Sequence, residues 1–161
     1  MVLMNNGYIL PKPLYTLTIM TLVLSIALFV ISMLDLGTVS FWLNVAASLI
    51  IILHDATLIH LARRARANDH RTPDFFPPAA SLANILVLGI CAFVLLAGFA
   101  MTVFSAVFAS DGEISWGTPT NMGTIIAQAA IAPVTAILLL ANAGWCIRSR
   151  KVGSAAGYGA F

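Results

Sequence analysis

Charge is what this chain has least of. Only 9% of its 161 residues are Asp, Glu, Lys or Arg, where a soluble globular domain carries about a quarter. A water-soluble single core is thereby excluded, because 60% hydrophobic residues exceed what an interior of this size can hide from water. Cysteine is nearly absent as well. Cys91 and Cys146 both fall inside apolar stretches at different depths, which excludes a disulfide framework. Cys146 stands beside a basic run, so reversible lipidation is one reading and a small buried thiol the other. There is no phosphate-binding glycine loop, no Ser-His-Asp arrangement and no paired-carboxylate site. We therefore expect no enzyme, no cofactor, no metal and no nucleic-acid partner.

What the chain has in abundance is long apolar runs. Four stand out, at residues 14–34, 41–62, 80–108 and 123–147, each at or above the roughly 20 residues needed to cross about 30 Å of hydrocarbon. Only a helix satisfies its own backbone in a dry bilayer, and the alternation of a barrel strand is missing. The expected fold is all-α, an integral membrane bundle of four transmembrane helices. The first run is too long for a signal-peptide core, and no small-x-small cleavage pattern follows it. Residues 1–13 then form a short terminal segment and residues 148–161 a flexible Gly/Ala-rich tail.

Orientation follows from where the charges are. All eight basic residues sit at Lys12, in the Arg63, Arg64, Arg66, Arg71 connector, and at Arg148, Arg150, Lys151. With four spans these segments share one side. The opposite loops hold Asp35, Asp111 and Glu113 and no base. The positive-inside rule places the basic side, and both termini, in the cytoplasm. Phe41 and Trp42 are expected to open span two at the outer headgroup level, with Trp116 beyond span three and Trp145 marking the inner end of span four.

Asp55 is the acidic residue expected within a span. It lies eight residues from Arg63, or about 12 Å deep at the helical rise, and an ionisable group there is a functional candidate by default. Thr21 and Ser25 on span one, and Thr135 and Asn142 on span four, reach comparable depths. Two readings stay open: an interhelical hydrogen bond, or an ion or proton site that also involves His54. His54 and His60 are six residues apart, about 120° around the helix at 100° per residue, so they do not chelate one metal together. Thr18, Thr21, Ser25 and Ser32 share one face of span one, and Asn44, Ser48 and Asp55 one face of span two.

Span three places Gly98, Thr102, Ala106 and Ser110 at intervals of four, and span four carries Gln128, Ala132 and Ala136 beside Pro133. Small residues at this spacing let helices approach closely, within one bundle or between protomers. The basic residues Arg63, Arg64, Arg66, Arg148, Arg150 and Lys151 form a candidate surface for anionic lipid, at about 1 kcal/mol per charge near the leaflet. The plainer reading is that they set topology only.

Four spans, cytoplasmic termini, a short first outer loop, a longer second one (ASDGEISWGTPTNM) and a basic connector (RRARANDHRTPDFFPP) resemble the MARVEL-like tetraspan proteins, particularly small fungal members. The resemblance covers the whole hydrophobic layout. It implies a role in membrane organisation, vesicle traffic or assembly within the plasma membrane or an endomembrane. Claudins and tetraspanins differ, having cysteines in the outer loops that this chain lacks. Small multidrug transporters carry their buried carboxylate in the first helix, whereas Asp55 is in the second. Three functions follow: a non-enzymatic organiser that self-associates or assembles membrane proteins, a small oligomeric channel or proton-coupled transporter using Asp55, or an accessory subunit of a larger membrane complex.

Overall fold

A computed structural model describes residues 12–67, 81–110 and 122–155. The first eleven residues, the connector around Arg71 to Pro78, the loop around Asp111 to Asn121 with Trp116, and the last six residues lie outside the described residues. The chain is four helices: α1 (Lys12–Leu34), α2 (Leu43–Ala67), α3 (Leu82–Ser110) and α4 (Met122–Ala155). With 23, 25, 29 and 34 residues, they measure about 35 to 51 Å along their axes, and each contains a segment long and apolar enough to cross a membrane. The fold is an all-α four-helix membrane bundle. Each helix packs against the next in sequence, and α4 closes the ring on α1.

Why these segments pack is visible in which side chains face inward. On α1 the stripe Thr18, Thr21, Ser25, Leu28 and Ser32 is fully buried, while Val23, Ile26 and Val30 point out. Phe93 of α3 is 74% exposed and Ile137 of α4 63%, a costly pattern in water and the stable one in hydrocarbon. Polar groups gather inside because lipid offers them no partner.

Several boundaries depart from the sequence expectation. Helix α2 starts at Leu43, so Phe41 and Trp42 belong to the preceding turn rather than to the helix. That turn holds Leu36, Gly37, Phe41 and Trp42 at φ of 52, 70, 49 and 63°, the left-handed region that non-glycine residues avoid. Backbone bonds from Gly37 to Ser32 and from Trp42 to Gly37, both 2.8 Å, hold it in place. A Cβ on Gly37 would lie 3.0 Å from the Trp42 ring, so the glycine also makes room for the indole. At the basic end, α2 continues to Ala67 and α4 to Ala155. The Arg63, Arg64, Arg66 run and the Arg148, Arg150, Lys151 run therefore sit on helical backbone rather than in a connector or tail. Lys and Arg favour helix, and no proline stops either segment.

Candidate functional site: two polar clusters in the bundle interior

The first cluster is built on α2. Asp55 is fully buried. Thr21 of α1 places its Oγ1 2.5 Å from Asp55 Oδ2, and that same hydroxyl lies 3.0 Å from the Thr18 carbonyl. His54 Nδ1 is 3.2 Å from Asp55 Oδ1, and His54 Nε2 is 2.7 Å from Asn84 Oδ1. Asn84 stands in the first turn of α3, where its backbone N–H donates to Ser81 Oγ at 3.2 Å, a serine cap on the helix start. Its Nδ2 reaches the Cys146 thiol of α4 at 3.7 Å, and that thiol is 4.0 Å from Asn142 Oδ1. Hydroxyl, carboxyl, imidazole, carboxamide and thiol thus run in series through all four helices.

The second cluster lies at the opposite end. Thr124 Oγ1 and Gln128 Nε2 of α4 donate to the two oxygens of Asp35, at 3.0 and 2.8 Å. Gln128 Oε1 accepts from Ser32 of α1 at 3.2 Å and from Asn44 Nδ2 of α2 at 3.3 Å. Asn44 Nδ2 also lies 3.4 Å from Thr102 Oγ1 of α3. Again all four helices are joined. Asp35 stands in the turn that follows α1, where the sequence places it, and that turn buries it to 5% exposure.

A largely apolar layer, into which Ser25, Ser48 and Thr135 are also buried, separates the two. Leu28 stands between Thr21 and Ser32 on α1, Ile51 between Asn44 and Asp55 on α2, Leu95 between Asn84 and Thr102 on α3, and Leu139 between Gln128 and Asn142 on α4. These four belong to one buried cluster, filled out by Ala47, Ala92, Ala132 and Ala136.

Of the residues expected to share a site with Asp55, the structure brings Thr21 and His54 to it. Ser25 is buried, and its Oγ has no hydrogen-bond partner among the described residues. Thr135 donates to the Ile131 carbonyl of its own helix at 2.9 Å, and Asn142 Oδ1 lies 4.0 Å from the Cys146 thiol rather than beside Asp55. Asn84 and Asp35 were not foreseen. Asn84 was detectable as the one carboxamide in span three, and Asp35 as an acid one residue beyond a helix end. His60 is exposed to the outside of the bundle. Among the described residues no three His, Cys, Asp or Glu side chains gather in metal-binding positions.

Gly98 and Thr102 turn inward, against α2, and Ala106 is half-buried. A Cβ on Gly98 would collide with Asn44 Oδ1 and come within 3.4 Å of the Asn44 backbone nitrogen. The glycine is what admits the Asn44 carboxamide between α2 and α3. Cys146 is buried at 1%, against Leu14 and Ala62, which fits the reading of a small buried thiol. Arg63 and Arg148 are exposed at the basic end. The side chains of Arg64, Arg66, Arg150, Lys151 and Ser110 lie outside the described residues.

Comparison with protein-family models, with curated proteins and with solved structures finds no match. The chemistry of the two clusters is the guide to function. Both can hold helices together, since polar contacts between helices in lipid contribute about 0.6 kcal/mol each and up to about 1.7. The Asp55 cluster also contains two adjoining ionisable groups, a carboxyl and an imidazole.

Proposed function

We propose that this chain is a non-enzymatic tetraspan protein that organises assemblies within the bilayer, associating with copies of itself or with other membrane proteins. One observation carries the reading. Most polar side chains of the spans turn toward one another inside the bundle, which leaves large apolar residues on the outward faces of all four helices. Such a surface works through lateral packing with lipid and with other helices. Arg63 and Arg148, exposed beside the ends of the spans, fit contact with the anionic cytoplasmic leaflet. This role agrees with what the MARVEL-like layout implies for a protein of the plasma membrane or an endomembrane.

The test is extraction from its own membrane in mild detergent, followed by native electrophoresis and identification of co-purifying chains. We expect species larger than the monomer, made of this chain or of it with other membrane proteins. A lone monomer, matched by single-step photobleaching in intact membranes, would contradict the proposal.

A further inference from the structure

The turn between α1 and α2 is built the wrong way round for water. A turn that faces water carries polar side chains outward. Here Asp35 and Ser40 are buried, whereas Leu36, Phe41 and Trp42 are exposed. These three continue the lipid-facing surface of the helices without a break, from Val30, Met33 and Leu34 on α1 to Leu49 and Ile50 on α2.

The backbone of the turn is equally self-contained. Leu36 and Gly37 donate to the Met33 and Ser32 carbonyls at 3.1 and 2.8 Å, and Phe41 and Trp42 repeat the pattern on Thr38 and Gly37 at 3.2 and 2.8 Å. Each pair is a Schellman-type closure, and each puts a left-handed residue, Leu36 or Phe41, where glycine is usual. Thr38 and Leu43 donate to the Asp35 and Ser40 carbonyls at 3.1 and 3.0 Å. Val39 is buried, and its carbonyl accepts from Ser105 Oγ of α3 at 3.0 Å. Irregular backbone survives in hydrocarbon only when protein satisfies its polar groups in this way. Glycine would adopt the same backbone with less strain. What Leu36 and Phe41 add is outward apolar surface.

The contact with Ser105 also fixes the level of the turn. The apolar span of α3 continues to Phe108, three residues or about 4.5 Å beyond that contact. Lipid that matches α3 therefore reaches past the turn.

We propose that the α1–α2 turn lies within the hydrocarbon of the leaflet farther from the basic end, and that Leu36, Phe41 and Trp42 form a surface for the upper acyl chains of that leaflet. This is deeper than the headgroup level that aromatic residues at the end of a span usually occupy. The proposal stands apart from the assembly role above, since it concerns lipid and not a second protein.

Trp42 reports on its own depth in full-length protein in bilayers, once Trp116→Phe and Trp145→Phe leave it as the sole tryptophan. We expect it to lose most of its emission to lipids brominated on the upper acyl chain and almost none to aqueous iodide. A nitroxide attached through Leu36→Cys, in protein carrying Cys91→Ala and Cys146→Ala, should relax strongly with oxygen and weakly with a water-soluble nickel chelate. That label serves if the tryptophan variant fails to assemble. Quenching by iodide, or strong relaxation by the chelate, would place the turn in water. Protection from lipid-borne and aqueous reagents alike would mean that protein covers the turn. Either result would overturn the proposal.

Discussion

Gly98 and Asn44 set the closest approach between α2 and α3. Because an added methyl would meet both the carboxamide and the backbone of Asn44, Gly98→Ala should destabilise the bundle by about 1–3 kcal/mol, the usual range for overpacking. Thermal unfolding in detergent measures this, and Ala106→Val at the half-buried neighbour is the milder control. Gln128 has a different vulnerability. It donates to Asp35 and accepts from Ser32 and Asn44, so Gln128→Leu leaves a buried carboxyl short of a donor. The same assay should register a loss of about 1–3 kcal/mol. The inward faces of α1 and α2 were legible in the sequence, since Thr18, Thr21, Ser25 and Ser32 recur at helical spacing. Their partners were not. That Asp55 meets Thr21 rather than Ser25 or Asn142 depends on the rotation and vertical offset of each helix, and one strand of text carries no record of either.

At the scale of the elements, the turn between α1 and α2 is the strained part. Leu36 has a positive φ and is more than half exposed, so its side chain contributes little packing to offset the strain. Leu36→Gly should therefore raise stability by about 1 kcal/mol. Gly37→Ala should lower it, since φ is +70° and the Trp42 ring is in the way. Unfolding midpoints that move in the opposite directions would count against this account of the turn. The spans themselves were legible from hydropathy, because long apolar runs have few alternatives in a chain with so little charge. Their ends were less so: hydropathy marks where lipid stops, whereas α2 and α4 continue as helix beyond that level through Arg66 and Lys151. Phe41 and Trp42 misled for a related reason, as an apolar residue at the start of a span need not be helical.

For the whole molecule, the arrangement is a layered one. Two polar clusters, each touching four helices, bracket a middle layer of Leu28, Ile51, Leu95 and Leu139. Everything else proposed here depends on that interior being polar at its ends and on the outer surface facing lipid. The sequence pointed to the surface, through composition, and to half of one cluster, through Asp55 and its neighbours. The cluster around Asp35 escaped because an acid between two spans reads as a loop residue until the fold draws it inward.

Nitroxide accessibility in nanodiscs addresses this most directly. Single labels are placed at Phe93, Ile126 and Ile137, in protein carrying Cys91→Ala and Cys146→Ala. All three should relax strongly with oxygen and weakly with a water-soluble nickel chelate, as sites in hydrocarbon do. Strong relaxation by the chelate at all three would mean that water faces these side chains and that the bundle does not stand in the bilayer as described.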